Sequence, residues 1–277
     1  MAFSLRTLLR RGGPVVPVVR LAGPIGIGGG GFRQTLSIAS VAPLLARAFA
    51  MKSAPAVAIS INSPGGSAVQ SHLIHRRIRA LAEEKNKPVI VAVEDAAASG
   101  GYMIAVAGDE IVVDPSSIVG SIGVIYSGFG FEKAIARIGI ERRVHTAGEN
   151  KAILDPFAPE KAADVARLKA LQADIHDTFI DLVKGRRTKL ADDPELFTGA
   201  FWTGDQAVKL GLADRTGELR AVLREKFGEK VVLKVIAQQP SLLRRRLGLG
   251  PAASMAAGIE SALGLIEERL LWERYGL

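Results

Sequence analysis

Three apolar stretches in the first half of the chain each lead into a turn built from the smallest residues, and this arrangement restricts the fold more than any other feature. Ala54 to Ile61 ends at Asn62-Ser-Pro-Gly-Gly66, and Asp109 to Val113 precedes Gly120-Ser-Ile-Gly-Val124. Pro88 to Val93 is interrupted by Glu94-Asp95 before the run Ala96-Ala-Ala-Ser-Gly-Gly101, which opens a short helix. Short Val, Ile and Ala runs bounded by Gly, Ser and Pro read as strands buried on both faces. Val15 to Leu21 is another such run, followed by the glycine-rich loop Gly26 to Gly31, and Arg143 to Thr146 is read as a strand. Helical character falls between and after them, at residues 36–50, 67–84, 131–138 and 159–185. Strands alternating with helices predict an α/β architecture with largely parallel pairing.

Composition supports a packed domain. Hydrophobic residues make up 48% of the 277, charged residues 23% and aromatics 5%, enough apolar material to exclude a wholly disordered chain. There is no cysteine, which excludes disulfides, thiolate zinc sites, iron–sulfur clusters and cysteine nucleophiles. The net charge of +8 is concentrated toward the ends, in Arg6, Arg10, Arg11 and Arg20 and in Arg244 to Arg246, which disfavours a nucleic-acid groove across the core. No run approaches the ~18 apolar residues of a spanning helix, and the proline-broken stretch Pro14 to Val19 is too short for a secretory signal. The chain divides into a basic tail (1–14), a main domain (15–240), and a basic hinge with an amphipathic helix (241–277).

The small-residue turns are the candidates for carrying chemistry. In Pro64-Gly65-Gly66 the proline fixes its φ and the glycines let bare N–H groups point at a ligand, as an oxyanion hole requires. An ordinary Pro-Gly turn fits the same residues. Ser99, flanked by alanines and glycines at a helix start, would carry an uncrowded hydroxyl where the helix N-terminus favours an oxyanion. A plain N-cap serine fits as well. A serine nucleophile needs a base, yet His72, His75, His145 and His176 all lie outside glycine-rich turns. His72 and His75 have metal-ligand spacing without an evident third ligand. A desolvated lysine is the other option. Lys151 stands out because it follows Gly148-Glu149-Asn150 and precedes Ala152-Ile153-Leu154, although an exposed loop lysine would look the same.

Taken in order, Ile61-Asn-Ser-Pro-Gly-Gly-Ser67, Ala98-Ser-Gly-Gly-Tyr102, Gly120-Ser-Ile-Gly-Val124 and Asn150-Lys151 resemble the signal peptide peptidase A family, the S49 serine peptidases of the ClpP/crotonase superfamily. Trp202-Thr-Gly-Asp-Gln-Ala207 and Gly211-Leu-Ala-Asp214 resemble that family's C-terminal signature. The resemblance covers roughly residues 15–235. It implies a ClpP/crotonase-like fold of repeated β-β-α units and a Ser-Lys endopeptidase acting on unfolded or hydrophobic peptides, such as signal-peptide remnants. It assigns Ser99 as nucleophile, Lys151, 52 residues further on, as general base, and Ser121 as the serine that orients the lysine. It places the oxyanion hole at Gly65 and Gly100, with Gly66 adjacent. It implies no cofactor and no metal, and a homo-oligomer in which neighbouring protomers can share active-site parts.

Many relatives carry a transmembrane anchor that this chain lacks, so the expected location is cytoplasmic, with the basic ends and the C-terminal helix offering peripheral contact at the inner face of the membrane. Packing of that helix on a neighbouring subunit is the other reading. Two further functions compete. A crotonase-like acyl-CoA enzyme would use carboxylates such as Glu94 and Glu110, and a non-catalytic scaffold would keep only the fold. Nucleotide binding at Gly26 to Gly31 lacks the acidic residue that the fingerprint requires about 20 residues on.

Overall fold

The computed structural model describes residues 13–26, 35–237, Trp272 and Tyr275. The glycine-rich loop beyond Gly26, the basic N-terminal tail, the hinge and nearly all of the amphipathic C-terminal helix therefore lie outside the described residues.

Strand β1 (Val15–Ala22), helix α1 (Ile38–Phe49), β2 (Val57–Ser63), α2 (Ala68–Lys85), β3 (Val89–Ala98), α3 (Gly100–Ala105), β4 (Glu110–Val113) and β5 (Ile118–Gly120) follow one another along the first half. They are succeeded by α4 (Glu132–Arg137), α5 (Ala162–Arg186), β6 (Phe201–Thr203), α6 (Gly204–Lys209), β7 (Arg215–Thr216), α7 (Leu219–Phe227) and β8 (Val232–Val235). The strands form one sheet in the order β6-β5-β3-β2-β1-β8, with β4 pairing β3 and β7 pairing β4. Every pairing is parallel except β5 with β6. The predicted α/β class and the ClpP/crotonase-like arrangement hold.

Burial explains why these runs become strands. One sheet face, with Val19, Leu21, Ile59, Ile61 and Val91, packs on α1, α2 and α3 through Leu45, Phe49, Ile74, Ile78 and Ile104. The other face packs Val16, Val18, Ala58 and Ile90 under Val222 and Leu223 of α7. Strands covered on both faces need no polar alternation. Helix ends follow local chemistry: Ser37 and Ser40 make a reciprocal capping box on α1, and Asn86, at φ 47°, closes α2 in the left-handed conformation.

Two expectations are corrected. Glu94 and Asp95 do not end β3, which continues to Ala98. Ile61 faces Val93 and Ser63 faces Ala97, so a bulge absorbs the two acids. There Glu94 takes bonds from Arg20 and Ser60, and Asn62 donates to Asp95 at 2.5 Å. Burial alone would push the Glu94 carboxyl up, but these donors outweigh it and hold it below the ordinary carboxylate range. Arg143 to Thr146 is not a strand either. It lies on a long arm in which no residue between Ile122 and Phe179 is buried, and among the described residues no strand pairs with it.

His75 ties α2 to α3. Its Nδ1–H donates to the Met103 carbonyl at 3.0 Å, and the ring is buried. Burial holds its pKa down to about 4, aided by Arg186, His72 and Arg79 and opposed by the Met103 bond. The unfolded chain therefore binds this proton between about pH 6.5 and 4 while the fold does not. The stability His75 contributes is complete above that window and falls, by up to about 3 kcal/mol, as pH drops through it. Melting curves of wild type and His75→Gln across that range should converge as the pH falls.

Candidate active site

Parallel order places three small-residue turns side by side. β5, β3 and β2 are neighbours, and each ends at one of them: Gly120-Ser121, Ser99-Gly100 and Pro64-Gly65-Gly66. Ligand sites in parallel sheets gather at such carboxyl ends.

Ser99 sits between β3 and α3 with φ 52° and ψ −121°, a strained backbone for a residue with a side chain, costing about 1–3 kcal/mol. Neighbouring bonds hold it there: Ser99 N–H donates to Gly120 O at 2.8 Å, and Met103 N–H donates to Ser99 O at 3.0 Å. Although Ser99 occupies the N-cap position, its hydroxyl makes no capping bond. It borders a chamber of about 380 Å³ whose wall includes Pro64, Gly66, Met103, Ile125, Phe179 and Tyr275. The larger cleft, about 800 Å³, lies within the exposed arm, away from Ser99.

The glycines are there because nothing larger fits. Gly65 has φ +103°, and a Cβ on it would stand 2.8 Å from both Ser99 Cβ and Ala98 O. Its N–H donates to Ser63 Oγ at 3.2 Å. Gly66 N–H makes no hydrogen bond among the described residues and lies beside Gly100, where an added Cβ would come within 3.4 Å of it. Gly65→Ala should lower stability by about 2–4 kcal/mol, from left-handed strain plus overlap. It should also cut any Ser99-dependent turnover about a hundredfold by displacing the serine. Thermal melting and kcat/KM on the same sample check both.

Ser121 is buried with φ 54°. Its N–H donates to Ala200 O at 2.7 Å, and Trp202 packs under Gly120. The Trp202 to Asp214 signature is therefore structural: Thr203 and Gln206 cap α6, Asp214 pairs with Arg187, and buried Tyr102 donates to Leu212 O at 2.8 Å. Tyr275, unsuspected from the sequence, is also buried here and donates to Ser121 Oγ at 3.2 Å.

Ser99, Ser121, Gly65, Gly66 and Gly100 are thus gathered. Lys151 is not among the residues that wall the chamber: it is exposed, in a turn of the arm where its N–H donates to Gly148 O at 3.2 Å. The carboxylates of the acyl-CoA reading lie elsewhere, Glu94 with Arg20 and Glu110 with Lys226, each at 2.8 Å. His176 Nε2–H donates to the Ile122 carbonyl at 3.1 Å, and His145 is exposed. Among the described residues no group of three or more His, Asp or Glu could hold a metal, and no helix is long and apolar enough to cross a membrane.

The family model for Peptidase family S49 matches residues 81–232. A protein of Brucella abortus (strain 2308) called Na(+)/H(+) antiporter NhaA is 59% identical over 271 residues, 95% of this chain but only 37% of that protein. The putative protease slr0021 of Synechocystis sp. is 32% identical over 233 residues, 82% of each chain. Among solved structures, the membrane-bound stomatin-specific protease 1510-N superposes with a TM-score of 0.50 at 16% identity, covering 82% of this chain and 99% of that one. At that identity the superposition speaks to fold.

Proposed function

Since this chain belongs to peptidase family S49, we propose that it is a serine endopeptidase in which Ser99 attacks the peptide carbonyl and Lys151 is the general base. One observation carries the reading: a serine in a helix-capping position that leaves its hydroxyl uncapped, in a strained turn that faces an apolar chamber. The Gly66 and Gly100 N–H groups receive the oxyanion of the tetrahedral intermediate, and Gly65 lets that turn approach the nucleophile. The amine of Lys151 takes the Ser99 proton, returns it to the leaving nitrogen, and then activates the water that releases the acyl group. Ser121 orients the lysine. The chamber's apolar wall suits unfolded or hydrophobic peptides, signal-peptide remnants among them.

Lys151 reaches Ser99 from a second copy of the chain. The arm that carries it exposes Ile125, Phe129, Ile138 and Ile140, each more than half accessible, and such a surface is buried by assembly. Its two limbs stay together through Phe131 and Phe157, with ring centroids 5.6 Å apart, so it can dock as a unit. Casein hydrolysis by Ser99→Ala, Lys151→Ala and their mixture tests this. Each variant alone is inactive, and random co-assembly restores about a quarter of the sites, because half supply the serine and half of those the lysine. Mixed assemblies without activity would contradict the shared site.

A second strand of the reading concerns place. In the Brucella abortus relative the matching region is joined to a larger protein that bears an antiporter's name. We infer that this chain works beside a membrane cation–proton antiporter, as a cytoplasmic, peripherally bound peptidase.

A further inference from the structure

We propose that Tyr275 is a positioning residue of the active site, acting through Ser121. This rests on the assignment of Ser99, Lys151 and Ser121 above. The phenol oxygen lies 3.2 Å from Ser121 Oγ and 3.4 Å from Pro64 O, so one hydroxyl touches both of the loops that flank Ser99. Pro64 O belongs to the same peptide group as the Gly65 nitrogen, which places the tyrosine against the oxyanion turn as well. The ring is held independently of its hydroxyl: it is 7% exposed and meets Phe201 edge-on, with centroids 5.1 Å apart. Phe201 in turn faces Gly120 across the β5–β6 pairing. Tyr275 forms part of the chamber wall and leaves the chamber's volume open beside Ser99.

The chemistry follows from the proton inventory of a hydroxyl. Ser121 has one proton and two lone pairs. Of its two acceptors the phenol's single proton favours the nearer, Ser121 Oγ at 3.2 Å against Pro64 O at 3.4 Å, which engages one serine lone pair and directs the serine's own proton away from the phenol. The remaining lone pair can accept one N–H of the lysine amine and leave the amine's own lone pair for the Ser99 proton, whereas an ammonium has more N–H groups than this acceptor can serve. Among the described residues the chamber wall carries no Asp, Glu, Lys, Arg or His. On α5 the group facing this loop is His176, whose Nε2 meets the Ile122 carbonyl.

Tyr275→Phe keeps the ring and its packing while deleting the hydroxyl. We expect kcat at neutral pH to fall about three- to tenfold with KM little changed, and the rise of kcat with pH to move to higher pH so that the two enzymes converge in alkali. In a Ser121→Ala background the same substitution should have no further effect. A wild-type pH profile in Tyr275→Phe overturns the proposal, and so does an equal loss with Ser121 absent, because the tyrosine would then not act through that serine. Ser99→Ala, assayed in parallel, separates the two levels. If it retains activity the underlying site assignment fails, whereas a dead Ser99→Ala with an unaltered Tyr275→Phe sinks only the positioning role.

Discussion

Ser99→Ala is expected to lower kcat for casein hydrolysis by at least about a thousandfold, with KM and melting temperature little changed. The size follows from the reaction: without the hydroxyl no acyl-enzyme can form, and the remaining rate comes from the oxyanion donors and substrate binding. The unchanged stability follows from the structure. The Ser99 hydroxyl caps nothing, so its removal leaves no orphaned helix donor that was satisfied before. The backbone bonds that set the turn, from Ser99 N–H to Gly120 O and from Met103 N–H to Ser99 O, are made by atoms that alanine also has. If Ser99 were simply a helix cap, the substitution would cost about 1 kcal/mol and leave activity alone. Kinetics and calorimetry on one preparation tell these apart.

Lys151→Ala should be nearly as severe in turnover, about a thousandfold, and just as silent in stability. Lys151 is exposed and its backbone bond to Gly148 survives the change, and surface substitutions of this kind shift stability by no more than about 0.5 kcal/mol. Lys151→Arg should not rescue it, because a guanidinium does not lose its proton in the working pH range. Loss of activity without loss of stability is the signature of a residue used in turnover and not in packing; the mixed-variant assay is what assigns it to a second subunit. Steady-state rates with the oligomeric state measured on the same samples check this. A fully assembled Lys151→Ala enzyme with wild-type rates would exclude it as the base.

Much of this site could be read from residue types alone, for a physical reason. Strands covered on both faces are written in Val, Ile and Ala, and turns that must approach a nucleophile closely are written in glycine, so the three strand–turn junctions at Gly65, Ser99 and Ser121 are local patterns. What escaped was non-local. Glu94-Asp95 looks like a strand end because two acids are costly inside a sheet, yet a bulge opposite Asn62 and the donors Arg20 and Ser60 accommodate them. Arg143 to Thr146 has strand-like residues, but strand formation needs a partner, and among the described residues none pairs with it. Tyr275 meets Ser121 across 154 residues of sequence, and a lone tyrosine in a helical pattern gives no hint of it. The occupied state of the Gly65 N–H, held by Ser63 Oγ, shifts attention to Gly66 and was equally invisible.

The central claim is that Ser99 is a nucleophile made reactive by Lys151. Covalent labelling with a fluorophosphonate probe, followed by mass spectrometry of the digested protein, addresses it without any knowledge of the natural substrate. The assembled wild-type enzyme should carry the adduct on the peptide containing Ser99, and Lys151→Ala should label at least about a hundredfold more slowly. An adduct on a different serine, or equal labelling of Ser99 without Lys151, would contradict the mechanism.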